Sequence, residues 1–210
     1  MSPAVTPKER PLAVVGLGGW ARSGKDVIAD ELVNGYGWVK VGMSDALNDA
    51  LLALDPIVEP YTGWSYSDHL KRCGGDYAKA KKLPEVRNLL QRLGTDVVRD
   101  LIDPDAWVKL TLRTIGKLHE AGHDKIVVTG IRFKNELKMI QELNGWPIWV
   151  SRSTVDPANS HPSEFALNPL HFSLEVANDG DDFVAPRQRA HYINQLATAE
   201  TGGTDGPTQV

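Results

Sequence analysis

Leu12-Ala13-Val14-Val15-Gly16-Leu17-Gly18-Gly19-Trp20-Ala21-Arg22-Ser23-Gly24-Lys25-Asp26 is the stretch on which the reading of this chain turns. Leu12 to Leu17 is a short apolar run stopped by Gly18-Gly19, the pattern of a strand buried on both faces. Asp26 to Val33 follows with helix-forming composition and an Ile28/Leu32 pair one turn apart, so a helix is expected to begin near Lys25 and end near Gly35. Between them, Gly19 to Lys25 matches G-x-x-x-x-G-K in the strand-to-helix context that this pattern requires. Glycines let successive backbone N–H groups turn inward around phosphate oxygens, and the helix start adds its positive dipole end. The Lys25 ammonium then reaches the outer phosphates. Gly19, Trp20, Ala21, Arg22, Ser23, Gly24, Lys25, Asp26 and Val27 are the expected phosphate-binding residues. Asp26 stands where such loops usually carry Ser or Thr, and its carboxylate can meet Mg²⁺ directly or through a water.

Outward from this loop the chain alternates strand and helix patterns. Strands are expected at Trp38–Val41, Ile126–Thr129, Ile148–Val150 and Leu174–Val176. Helices are marked by Leu47/Leu51/Leu54, stopped by Pro56, and by Val86/Leu89/Leu90/Leu93/Val97, bent at Gly94. Others follow at Val108/Leu112/Ile115, Leu137/Ile140/Leu143 and about 185–197, and Asp103-Pro104-Asp105 reads as a turn and cap. The stretch of about 55–83 reads as irregular. Such alternation predicts α/β architecture, a parallel sheet with helices on both faces. With the loop, it predicts a P-loop NTPase-like three-layer sandwich. Residues 1–10 are expected to be a flexible start, 11–197 a single domain and 198–210 a disordered tail.

Composition narrows the function. A chain of 210 residues holds one well-buried core, and its formal net charge of −4 offers no field for gripping polymeric nucleic acid. Cys73 is the only cysteine, which excludes an internal disulfide and fits a reducing, cytoplasmic setting. No apolar run approaches the ~20 residues needed to span a bilayer, and the start lacks the apolar core of a signal peptide, so no membrane partner is expected.

Five segments in order carry a family resemblance. Besides the loop Gly19–Asp26, these include Val41-Gly42-Met43-Ser44-Asp45-Ala46-Leu47 and Leu89–Thr95, the latter with Arg99 and Asp103-Pro104-Asp105-Ala106-Trp107. Val127–Glu136 (VVTGIRFKNE) and His161-Pro162-Ser163-Glu164 complete the series. Together they resemble the phage deoxynucleoside monophosphate kinases, in which a GKD loop replaces GKS or GKT; animal-type phosphomevalonate kinases share that loop more distantly. Thr129 departs from the Asp usual at the end of the central strand, and Asn48 from a frequent Lys.

The resemblance implies transfer of the ATP γ-phosphate to a (deoxy)nucleoside monophosphate, serving DNA precursor supply in a host cytoplasm. It implies ATP and Mg²⁺, the latter held at Asp26. An acceptor-binding helical region is placed at about 42–107 and a lid at about 151–165 carrying Arg152. Lys25, Arg22, Arg99 and Arg132 are the candidates to neutralise phosphate charge, since guanidinium forks match phosphate oxygens. Ser44, Asp45, Arg87, Gln91, Thr95, Arg99, Trp107, Arg132 and Glu164 are the candidates to hold the acceptor. Gln91 suits the reading of a base edge, whereas Trp107 either stacks on a base or packs in the core. Small kinases of this sort often pair, so a homodimer is compatible. Two other readings stay open: another small-molecule kinase, phosphomevalonate-like, and a nucleotide-binding module without turnover.

Overall fold

A computed structural model describes residues 11–155, 166–179 and 184–199. The chain divides into two compact units, one formed by residues up to Val41 with those from Thr114 onward, the other by Gly42–Arg113. The expected acceptor-binding region of about 42–107 falls within the second unit.

The first unit is built on a five-stranded sheet in the order β2-β5-β1-β6-β7. Its strands are β1 (Ala13–Gly18), β2 (Val39–Gly42), β5 (Lys125–Ile131), β6 (Trp146–Ser151) and β7 (Leu174–Ala177). β1 runs parallel to both neighbours, Val14 opposite Ile126 on β5 and Leu17 opposite Ile148 on β6, and β6 runs parallel to β7. All six residues of β1 are buried, as a strand covered on both faces demands. The alternation of side chains assigns the two faces. Ala13, Val15 and Leu17 share a core with Ile28 and Leu32 of α1 (Lys25–Tyr36) and Ala190 and Ile193 of α8 (Val184–Ala199). On the opposite face a Cβ on Gly16 would meet Ile140 Cγ1 at 2.6 Å, which seats α7 (Lys134–Glu142) there. The sheet is therefore sandwiched, as the alternation predicted.

The first helix ends beside Gly35, as expected. α1 passes through Gly35 to Tyr36 and closes on Gly37, whose N–H reaches the Val33 carbonyl at 3.3 Å. Gly35 is exposed, and a glycine inside a helix costs only about 1 kcal/mol, which the buried Ile28–Leu32 face outweighs.

In the second unit, α2 (Asp45–Leu54) and α5 (Pro84–Gln91) lie where the periodicity put them. The stretch 55–83 is not irregular. It holds the hairpin β3 (Ile57–Glu59) and β4 (Trp64–Ser65), then α3 (Tyr66–Arg72) and α4 (Tyr77–Ala80). These elements are too short for periodicity to register. Side chains cap them instead: Asp68 N–H donates to Ser65 Oγ at 3.4 Å, and Lys79 N–H to Asp76 Oδ1 at 3.1 Å. Past Gln91 there is no simple bend at Gly94. The helix widens to the π pitch over Arg92–Ile102, and Asp103 N–H closes it on the Val98 carbonyl at 2.8 Å. The Asp103 carboxylate then accepts from Asp105 N–H at 2.9 Å and from Lys109 Nζ at 2.7 Å, forming the expected turn and cap before α6 (Ala106–Glu120). Lys109 is the leading cause that holds this carboxyl below its usual range.

This unit's core gathers Leu51, Val58, Tyr66, Ala80, Val86 and Leu90. Tyr66 is fully buried, its hydroxyl donating to Asn48 Oδ1 at 2.5 Å. Burial, with smaller effects from Tyr77 and Cys73, pushes the Tyr66 phenol up to about 12. An unfolded tyrosine loses its proton near 10. Unfolding is then favoured increasingly as pH rises from about 10 to about 12, because the unfolded chain releases the proton first. In Tyr66→Phe, urea unfolding measured across that window should show a flatter loss of stability than the wild type.

Candidate functional site

The phosphate loop leaves the C-terminal end of β1 and takes up backbone conformations that side chains resist. Gly19 has φ 140°, Gly24 has φ 89°, and Arg22 has φ 70° despite its side chain. A Cβ on Gly19 would run into the Val150 carbonyl oxygen, with Ser23 Oγ at 2.8 Å, so only glycine fits between loop and β6. Gly24 is the cap of α1 and supplies no side chain to its first turn, leaving those N–H groups to face whatever sits in the loop. Lys25 is 7% exposed, and its Nζ donates to the Trp20 carbonyl at 3.2 Å; the Ser23 N–H reaches the same oxygen at 3.2 Å. Asp26 and Val27, the next residues of the helix, are exposed.

An aromatic wedge supports the loop, and nothing in the sequence pointed to it as a group. Trp20 meets Trp149 of β6 edge-on with ring centroids 5.7 Å apart, and Trp149 packs against Phe172 at 5.2 Å. Phe172 occupies the space beside Gly18, where a Cβ would collide with its ring.

Two neighbouring strands deliver further cations to the same edge of the sheet. Gly18 is opposite Ile131 on β5 and opposite Trp149 on β6, so Arg132 and Arg152 each leave the sheet beside the loop. Ligands of open parallel sheets bind outside these carboxyl ends. The β5 turn is fixed by Glu136, 4% exposed, whose Oε2 accepts from Arg132 N–H at 2.7 Å and Phe133 N–H at 3.1 Å. Glu136 stood in the quoted VVTGIRFKNE segment without an assigned role. Thr129 is 6% exposed near the end of the same strand. After β6, Ser153 N–H donates to Asp179 Oδ1 at 2.6 Å. That hydrogen bond is the main cause holding the Asp179 carboxyl below its usual range, with Arg152 and Arg189 adding smaller pulls.

Ser44 precedes α2 without capping it through its side chain, while Asp45 Oδ2 accepts from Gly42 N–H at 2.6 Å. Arg87 is exposed on α5, and Gln91, Thr95 and Arg99 are half-buried along that helix and its π continuation. Trp107 is 8% exposed and donates its indole N–H to the Gly94 carbonyl at 2.9 Å. It is a packing residue that anchors the widened helix, not an open face for stacking. Glu164 and His161, with the part of the expected lid beyond residue 155, lie outside the described residues. No group of three or more His, Cys, Asp or Glu among the described residues is arranged to hold a metal on its own. Nor is any helix among them long and apolar enough to cross a membrane.

A parallel sheet with β1 between β5 and β6, a glycine-bounded loop after β1 and a buried lysine opening α1 define a P-loop α/β protein. The sequence profile of the deoxynucleotide monophosphate kinases matches residues 76–182, about half of the chain. The chain belongs to the deoxynucleotide monophosphate kinase family. The phosphate loop lies outside the matched span, so loop and profile are separate grounds.

A protein of Acanthamoeba polyphaga mimivirus, provisionally named as such a kinase, is 26% identical over 76% of this chain and 84% of its own length. The deoxynucleotide monophosphate kinase of Escherichia phage RB69 is 34% identical over 45% of this chain and 39% of its own. The deoxynucleoside-5′-monophosphate kinase of Escherichia phage T5 is 28% identical over 45% and 40%. The chain thus spans well under half the length of these two phage relatives.

Removing a buried acceptor strands its donors at the cost of desolvation. Glu136→Ala should therefore lower stability by about 1–3 kcal/mol in urea unfolding, while Lys138→Ala, exposed on the same helix, leaves it within about 0.5 kcal/mol.

Proposed function

We propose that this protein transfers the γ-phosphate of ATP to a deoxynucleoside 5′-monophosphate, giving ADP and the diphosphate. The observation that carries this reading is the buried Lys25 beneath a loop bounded by Gly19 and Gly24, in a chain of the monophosphate kinase family. The cytoplasm, a host's if the chain is phage-borne, is its place of work.

Phosphoryl transfer asks a protein to align two phosphates, neutralise their charge and exclude water, with little covalent chemistry of its own. In this reading the loop N–H groups and the start of α1 hold the β- and γ-phosphates, and Lys25 moves its ammonium from the Trp20 carbonyl to the phosphate oxygens. Arg22 and Arg132 spread the charge that develops on transfer, and Arg152 closes on the ATP side. Mg²⁺ supplies charge neutralisation between phosphate oxygens, with Asp26, exposed in the first turn of α1, as the residue that would hold it. For the acceptor, Arg87 and Arg99 take the phosphate, Gln91 and Thr95 read polar edges, and Ser44 and Asp45 fix the sugar side. An acceptor phosphate is already anionic near neutral pH, so no strong general base is needed.

The test is a panel of deoxynucleoside and ribonucleoside monophosphates and phosphomevalonate, each incubated with ATP and Mg²⁺ and read by chromatography of the ADP and diphosphate formed. Diphosphate should appear with at least one deoxynucleoside monophosphate. A protein that binds ATP yet is inert with the whole panel would be a nucleotide-binding module, and turnover with phosphomevalonate alone would reassign the acceptor. Lys25→Ala should lower turnover at least about 100-fold, the usual scale for losing one charged transition-state contact. Asp26→Ala should shift the Mg²⁺ titration to higher concentration; an unchanged titration removes Asp26 from the metal.

A further inference from the structure

Asn178 follows β7, far along the chain from the loop, and is 3% exposed. Its backbone N–H donates to the Ser151 carbonyl at 2.8 Å, joining the ends of β6 and β7. Its side-chain Nδ2 donates to the Ser23 carbonyl at 3.0 Å. That nitrogen also fills the position a Cβ on residue 24 would take, so glycine before Lys25 is required by its φ of 89° and by the amide packed on it. Ser23 Oγ and Asn178 Oδ1 are buried with no hydrogen-bond partner among the described residues. Among the described residues, the Asn178 amide donor is the side-chain tie between the two.

The Ser23 carbonyl and the Gly24 N–H belong to one planar trans peptide and point in opposite directions. Whatever holds the carbonyl on one side fixes the N–H on the other. We propose that Asn178 is a positioning residue for the phosphate loop: by holding the Ser23 carbonyl behind the loop, it keeps the Gly24 N–H turned toward the bound phosphate. The inference rests on the reading of this loop as the ATP site, and Asn178 itself touches no substrate. Pre-set donors spare the ligand the cost of orienting them.

Asn178→Asp keeps the side chain's shape, removes the donor and sets a carboxylate against the Ser23 carbonyl; Asn178→Ala removes the tie without adding charge. Dissociation constants of MgATP and of a deoxynucleoside monophosphate that the wild type binds are measured by calorimetry on wild type and both variants, with thermal unfolding as a check that each is folded. Asn178→Ala should weaken MgATP about tenfold and Asn178→Asp more, while monophosphate affinity stays within about twofold. MgATP binding at wild-type strength in a folded Asn178→Asp overturns the proposal. Equal losses of ATP and monophosphate affinity overturn it too, because they mark general damage. If Asn178→Asp does not fold, Asn178→Ala decides on the same two readings. A wild type that binds MgATP without turnover would sink the kinase reading and leave this comparison standing, whereas one that does not bind MgATP would sink the loop itself.

Discussion

Taking an ammonium group out of water is costly unless acceptors replace the lost hydration. Lys25 is nearly buried, and one acceptor it reaches is the Trp20 carbonyl, a main-chain atom of the same loop. That one hydrogen bond ties lysine position to loop shape: the carbonyl is aimed by the Trp20 backbone, whose ring is braced through Trp149 by Phe172. Around it the left-handed turn at Arg22 stores backbone strain that a free peptide would shed, while Gly24 takes its positive φ without that cost. The strain persists because β6 closes off one side and the Asn178 amide the other.

The family segments acquire physical meaning once their hydrogen bonds are known. The leucine-rich block ending in Gly94-Thr95 and the DPDAW block are separate in sequence, yet Trp107 donates to the Gly94 carbonyl and the Asp103 carboxylate secures the turn between. The two blocks are one unit of structure, a widened helix held at its wide point. The VVTGIRFKNE segment likewise ends in the glutamate that clamps the N–H groups of its own Arg132 and Phe133. Several positions that resemble the family are thus framework that fixes the backbone of their own segments.

How much was legible follows from how each feature is encoded. β1, the loop and α1 announce themselves through contiguous apolar runs, glycines and a lysine at fixed offsets, and the sandwich follows from alternation. The short elements of 55–83 carry no such period; their signal is the offset between Ser65 and Asp68 or Asp76 and Lys79, easily lost among other polar residues. The π pitch after Gln91 has no sequence rule, and Gly94 reads as a bend because its carbonyl partner lies in another block. Trp107 was undecided between packing and stacking because composition cannot say where an indole N–H finds its acceptor. Asn178 was invisible for a stronger reason: its importance is a contact across 155 positions.

That separation governs the order of events when the chain folds. Contacts this distant form late, after the loop-closure entropy of the intervening segment has been met. A nascent chain halted after β6 would contain every residue of the glycine-rich turn and lack the strand end that shapes it. The turn gains its tie to β7 only once Asn178 has emerged, and any ligand that binds the folded turn alone adds stability from that moment.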